Sequence, residues 1–250
     1  MNSTDLFTGR TVIVTGAGSG IGRATALQLL GAGARVLGTD VDAKRLLSLT
    51  AEAATSELST VVGDVTQAST VEAILQESNG QVYGLANVAG IMDALVPAHE
   101  VSDELWERVM RVNVTGPMML TRAVLPLMMA AGAGAIVNVA SEAALRGSAA
   151  GAAYTTSKHA IVGFTRSVAF MYGPENIRTN AVAPGPVESG ITTSIGSEYA
   201  AARHLAAGEP GYSAAVEPAV LARSIVWLLS DDAANVNGVV LPSDGGWSVF

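Results

Sequence analysis

Thr11-Val-Ile-Val-Thr-Gly-Ala-Gly-Ser-Gly-Ile-Gly22 is the stretch on which the fold turns. A short β-prone run leads straight into Gly16, Gly18, Gly20 and Gly22, with Ser19 and Ile21 between them, and a helix-forming run follows at 21–30. Glycine lets the main chain turn tightly and come close to an anion. The helix that follows aims its unpaired N–H groups and positive dipole end at the same point. The spacing is Gly16-x-x-x-Gly20-x-Gly22 rather than G-x-G-x-x-G. It is therefore the strand before and the helix after that give the glycines their meaning as a pyrophosphate cradle.

Moving outward, the same alternation repeats. Strand-like runs lie at 11–15, 35–39, 60–63, 82–88, 135–140, 177–182 and 239–241. Helical runs lie at 21–30, 43–54, 71–77, 103–130, 154–172 and 216–229. Strands that are nearly continuously apolar and separated by helices predict a parallel sheet covered on both faces. The expected fold is α/β: a Rossmann-type doubly wound sheet of about seven strands, in a single dinucleotide-binding domain over 1–250. Asp40, at the end of the second strand and eighteen residues past Gly22, stands where a carboxylate can hydrogen-bond adenosine ribose hydroxyls. It would repel a 2′-phosphate, so NAD is expected over NADP. Arg23 and Arg35, the nearby cations, are read as helix-surface residues.

Nearly half the residues are apolar and 14% are charged, which excludes a disordered chain. A net charge of −8 argues against nucleic acid or anionic lipid as partner. With no cysteine and three scattered histidines, thiolate metal sites and disulfides are excluded, and no metal is expected. The N-terminus lacks a run apolar enough for a signal peptide, and 117–131 carries Arg122 and is too short to span a bilayer. A cytoplasmic protein is expected.

Tyr154 and Lys158 lie four apart on one helix, so both project from one face, and Ser141 ends the apolar run at 135–140. A phenol, an ammonium and a hydroxyl together can move a proton on and off a carbonyl or alcohol oxygen. On that helix Ile161, Thr165, Val168 and Tyr172 share the Tyr154 face and should meet the sheet. Ala153, Ala160, Phe164 and Met171 form a second apolar stripe, which predicts helix-on-helix subunit contacts.

With these residues in place, the chain resembles the classical short-chain dehydrogenase/reductases over essentially its whole length. Thr15-Gly-Ala-Gly-Ser-Gly-Ile-Gly22 is similar to that family's cofactor loop, and Asp64-Val65 to its adenine contact. Asn87-Val-Ala-Gly90 is similar to its Asn-Asn-Ala-Gly motif, with Val88 in place of the second Asn and with Ala89 and Gly90 retained. Asn113, Ser141, Tyr154 and Lys158 match the catalytic tetrad, and 180–185 and 244–246 match later signatures. The resemblance implies that Tyr154 is the acid/base and that Lys158 lowers its pKa and holds the nicotinamide ribose. It also implies that Ser141 bonds the substrate oxygen and that Asn113 holds a water linked to Lys158. Pro184, Gly185, the backbone of Val187 and Ser189, where the family often has threonine, would meet the nicotinamide end. The enzyme so implied moves a hydride between NAD and a small-molecule secondary alcohol or ketone, as a homotetramer with its C-terminal residues packed on another subunit.

A substrate lid is expected at about 187–211, with Met92, Val96, Ala143, Leu145, Gly151, Ile191 and Ile195 as apolar or small pocket walls. Asp93, Glu142 and Glu188 are read as solvated loop acids. The alternatives are an NADPH-type reductase of carrier-bound 3-oxoacyl thioesters and a non-catalytic NAD-binding regulator. The first lacks an obvious basic landing for an acidic carrier, and the second has no need of Tyr154 and Lys158 together.

Overall fold

The computed structural model describes residues 5–188, 195–207 and 214–249. The strands are β1 (Thr11–Thr15), β2 (Arg35–Asp40), β3 (Leu58–Val62), β4 (Gly84–Asn87), β5 (Gly134–Val139), β6 (Ile177–Pro184) and β7 (Val240–Ser243). The helices are α1 (Gly20–Gly31), α2 (Ala43–Ala53), α3 (Ala68–Glu77), α4 (Asp103–Met110), α5 (Gly116–Ala131), α6 (Ala152–Tyr172), α7 (Glu198–Ala207) and α8 (Pro218–Leu229). All strands pair in parallel, in the order β3-β2-β1-β4-β5-β6-β7. The chain builds outward from β1 to β3, then returns to lay β4 against the other side of β1. That reversal opens a crevice beyond the carboxyl ends of β1 and β4, where ligands bind in open sheets of this kind.

Side chains alternate across a strand, and here each side finds a helix layer. Val12, Val14, Val36 and Val137 pack with Leu29, Leu46, Leu49, Ile225 and Leu228 from α1, α2 and α8. Ile13, Leu37, Leu85 and Ile136 point the other way, onto Ile74, Leu120, Val124, Met128 and Val168 from α3, α5 and α6. Each such fully buried aliphatic side chain contributes about 1.5–3 kcal/mol relative to exposure. The stretch Asp103–Ala131 is apolar and long enough to cross a bilayer by length and composition. Its α5 portion buries Leu120, Val124, Leu125 and Met128 in this second layer, so its apolar side is already covered.

Three elements differ from the sequence reading, each for a local reason. β4 stops at Asn87 because the Val88 N–H donates to the Thr15 hydroxyl (2.9 Å) instead of to a neighbouring strand. The long helix at 103–130 is split by a π-turn, Arg111–Thr115, that adds a residue to the helical path around Asn113. Within the expected lid stands a helix, α7, whose start is capped by the Ser197 hydroxyl accepting the Ala200 N–H at 3.1 Å.

Candidate active site

The glycine cradle is defined by what cannot be there. Gly16 and Gly20 adopt φ of 67° and 51°, the left-handed region that side chains disfavour. A Cβ on Gly22 would stand 2.1 Å from the Gly16 carbonyl oxygen, and one on Gly18 would stand 2.8 Å from both Asp40 Oδ2 and Arg45 Cβ. Ser19 is the N-cap residue of α1. The resulting cleft, about 710 Å³, is lined by Gly16, Ser19, Gly20, Ile21 and Gly22 on one wall. Asp40, Asp64 and Val65 line one end, and Ala89, Gly90 and Met92 the other wall. Thr15 joins the walls, because its hydroxyl accepts the N–H groups of Val88 (2.9 Å) and Ala89 (3.0 Å).

Asp40 is held rather than free: Oδ2 accepts the Gly18 N–H at 3.0 Å and Oδ1 the Asp42 N–H at 3.0 Å. Asp64 accepts the Thr66 N–H at 2.8 Å. Arg23 pairs with Glu52 and Arg35 with Glu77, as surface residues. Arg45 was missed by the sequence reading. It lines the cleft next to Asp40 while pairing with Asp42 at 3.3 Å.

Behind the cleft a ladder of buried polar side chains runs across the sheet. Asn87 Nδ2 donates to Asn138 Oδ1 at 2.8 Å, and Asn138 Nδ2 donates to the Thr165 hydroxyl at 2.9 Å. Asn87 and Asn138 are register partners on β4 and β5, so the ladder ties both strand ends to α6. Thr165 had been placed on the sheet-facing side of its helix, but Asn138 had drawn no notice. Its signal is an amide amid the apolar strand Ala135-Ile-Val-Asn-Val-Ala140.

Asn113 sits in the π-turn, 1% exposed. Its Oδ1 accepts the Ile91 N–H (2.9 Å), while Nδ2 donates to the Ile91 carbonyl (2.9 Å) and the Ser157 hydroxyl (3.1 Å). Both amide hydrogens and one lone pair of the oxygen are thus used to fix the loop after β4 against α6. A Cβ on Gly90 would lie 3.3 Å from Asn113 Oδ1 and 3.5 Å from Lys158 Nζ, which brings the lysine to the cleft wall. Lys158 is buried and donates to the Val139 carbonyl at 2.8 Å, with Nζ 5.3 Å from the Tyr154 ring centre. Ser141, just beyond β5, accepts the Ala143 N–H at 3.1 Å, and its hydroxyl favours ionisation of the Tyr154 phenol. Asn113, Ser141, Tyr154 and Lys158 therefore converge from the α4–α5 junction, the end of β5 and the first turns of α6.

Burial dominates both titrating groups. It pushes the Tyr154 phenol up to about 12, with Ser141 pulling down and the charge of Asp93 pushing up. It lowers Lys158 to about 8. Burial thus favours the neutral form of each group.

Two of the expected loop acids are not solvated. Asp93 is fully buried because its carboxylate accepts three backbone N–H groups, from Leu95 (3.1 Å), Gly151 (3.2 Å) and Tyr154 (2.8 Å). Glu142 is 1% exposed and ion-paired with Arg146, whose guanidinium lies 4.4 Å over the Trp247 ring. Burial raises the Glu142 carboxyl; Arg146 pulls it down, and the charge of Asp244 pushes it up. Glu188 is exposed, as read.

Among the expected substrate walls, Met92 lines the cleft, and Leu145 and Ile195 are 40% and 49% exposed. Ala143 has no accessible surface, and Gly151 is buried against Asp93 and Val96, so both shape the site from beneath. Gly185 follows Pro184 at the end of β6 and lies so near Asp244 that a Cβ would be 2.9 Å from its Cα. Val187 bridges to Val216. Ser189 and Ile191 lie outside the described residues.

The family pattern described as short chain dehydrogenase matches residues 10–200. A 3β-hydroxysteroid dehydrogenase 2 of Eggerthella lenta is 38% identical, with 97% of this chain and 96% of that protein covered. A solved levodione reductase superposes with a TM-score of 0.88 at 34% identity, over 97% of this chain and 99% of that one. A putative NAD(P)-dependent gluconate 5-dehydrogenase from Beutenbergia cavernae, with NADP bound at low occupancy, gives 0.86 at 36% identity over the full length of both chains. The sheet order, the glycine cradle and these likenesses along the whole chain agree: the protein belongs to the short-chain dehydrogenase/reductase family, whose members are NAD(P)-dependent oxidoreductases.

Proposed function

We propose that the protein oxidises a secondary alcohol, or reduces the corresponding ketone, with Tyr154 as the acid/base. The observation that carries this reading is the burial of Tyr154 and Lys158 one turn apart on α6, with Lys158 at the wall of the glycine-lined cleft. The cleft suits a nicotinamide dinucleotide: Gly16, Gly18 and Gly22 leave backbone where a phosphate needs it, and Asp40 faces the adenosine end. Asp64, Val65, Asn87, Ala89, Gly90, Pro184, Gly185, Val187 and Ser189 complete the proposed binding set. When bound, the dinucleotide supplies the hydride acceptor and a positive charge.

Tyr154 takes the alcohol proton during oxidation and returns it during reduction. Ser141 holds the substrate oxygen through its hydroxyl, offsetting the charge that grows there. Lys158 favours the phenolate and holds the ribose, and Asn113 keeps the Ile91 loop closed on α6. Because the phenol is pushed up to about 12 by its surroundings, oxidation gains as pH rises, and reduction is served by the protonated form at neutral pH.

Met92, Leu145 and Ile195 support a largely apolar carbinol, in keeping with the hydroxysteroid relative. α7 and Val187 are the described parts of the proposed cover over 187–211. Asp40 favours NAD; Arg45 beside it favours some acceptance of NADP. Phe170 and Met171 on α6, 82% and 64% exposed, support a homotetramer through that helix. The acidic charge and filled sheet faces are consistent with a cytoplasmic protein.

The test is Tyr154→Phe assayed with a panel of secondary alcohols and ketones. Turnover should fall by about 10²–10⁴-fold while NAD still binds. Undiminished turnover would overturn the reading.

A further inference from the structure

α6 begins in an unusual way. Its N-cap residue is Gly151, which has no side chain to accept the orphan N–H groups of the first turn. The missing acceptor arrives from 61 residues away, where Asp93 Oδ2 takes the N–H of Tyr154 itself at 2.8 Å and Oδ1 takes that of Gly151 at 3.2 Å. Glycine is required at 151 for this, since a Cβ would stand 2.6 Å from Asp93 Oδ2. The carboxylate is held in place by a strained turn. Ala94 and Leu95 both sit at positive φ (54° and 56°), a conformation costing on the order of 1–2 kcal/mol per non-glycine residue. The Leu95 N–H bonds Asp93 Oδ1, the Ala152 N–H bonds the Val96 carbonyl, and the Gly196 N–H bonds the Ala94 carbonyl. One four-residue turn therefore touches the loop after β4, the start of α6 and the chain leading into α7.

We propose that Asp93 is a positioning residue for proton transfer: its buried carboxylate caps the catalytic helix from outside, fixes the backbone of Tyr154, and sets one negative charge behind the phenol. The inference rests on the acid/base reading of Tyr154. The groups facing that phenol are Asp93 from the loop after β4, the Ser141 hydroxyl from the end of β5, and Lys158 one turn along α6. Burial and Asp93 oppose ionisation, and the Ser141 hydroxyl favours it. The proton of Tyr154 is thus subject to a carboxylate fixed at the start of its own helix.

The experiment is an ultraviolet titration of tyrosinate in the full-length protein. The Tyr154 signal is isolated by subtracting the Tyr154→Phe variant, and the measurement is repeated in an Asp93→Asn background. Tyr154 should ionise at lower pH in Asp93→Asn, and the acid limb of the oxidation rate should move the same way. Maximal turnover should fall about 10–100-fold as the hydroxyl shifts, with the KM for NAD unchanged. Unchanged ionisation together with unchanged turnover would overturn the proposal. So would a fall in turnover that comes with a weaker KM for NAD and no shift in ionisation, the mark of general loosening. Circular dichroism checks folding. If Asp93→Asn does not fold, Gly151→Ala is read instead: it keeps the charge, but its methyl displaces both the Asp93 carboxylate and the Val96 backbone from the start of α6. Lower turnover with unaltered NAD affinity then supports the proposal, and parental turnover refutes it. The titration needs no catalysis, so it separates failure of this proposal from failure of the dehydrogenase reading.

Discussion

The two ends of the cleft are made of opposite materials. The proposed cofactor end is built from absent side chains: a Cβ would collide at Gly18 and Gly22, and Gly16 holds a φ that side chains disfavour. The proposed catalytic end is built from ionisable and polar side chains driven into the interior: Asp93, Asn113, Tyr154 and Lys158 are each less than 9% exposed. The first strategy costs chain entropy but no desolvation, and it tolerates almost no substitution. The second costs desolvation, and each group becomes adjustable by its neighbours.

The contrast breaks most sharply at Gly22. Gly22→Ala puts a methyl 2.1 Å from the Gly16 carbonyl, which no side-chain adjustment can relieve. NAD affinity measured by fluorescence titration should drop more than about 100-fold, consistent with some 3 kcal/mol of overpacking or backbone displacement. Affinity near the parental value would mean that the cradle does not bind the pyrophosphate.

Lys158→Met probes the other end. In the folded chain the lysine is lowered to about 8 from 10.5, so between those values the unfolded chain holds the extra proton and stability rises with pH. Tyr154 is raised to about 12 from 10.0, so across that window the folded chain holds the extra proton and stability falls. Lys158→Met should erase the rise between pH 8 and 10.5, on the order of 3 kcal/mol, as read from urea midpoints across that range. It should also stop turnover. A rise that survives the substitution would show that another group is responsible.

Asp40→Ala and Arg45→Ala sharpen the comparison with the smallest effects. Loss of the carboxylate should move selectivity toward NADP, and loss of the guanidinium should move it back, each by about tenfold, or 1.4 kcal/mol. Equal kcat/KM ratios in parent and variants would remove both residues from cofactor choice. The association prediction is independent of these. Sedimentation should find a tetramer, and a monodisperse monomer would leave Phe170 and Met171 unexplained.

The same contrast explains what could be read from sequence. A glycine constraint is short-range, so the cradle and the β-α alternation were visible in windows of a dozen residues. Tyr154 and Lys158 were visible because one helical turn relates them. Asp93 was misread because its key partner is not a neighbour in sequence: nothing near Met92-Asp-Ala-Leu95 announces that the N–H of Tyr154 needs an acceptor. Arg45 escaped notice because it lies on α2 and turns toward a cleft made by β1 and β4. The helix α7 was hidden in an Ala-rich run read only as a cover.

The cluster around Arg146 has a practical consequence. Trp247 is stacked under that guanidinium, Arg146 pairs with Glu142, the residue next to Ser141, and Asp244 accepts the N–H groups of Gly246 and Ser248. The turn around Trp247 is therefore joined through Arg146 to the residue after Ser141, and a loss of ring area there, as in Trp247→Ala, would loosen the segment that carries the serine.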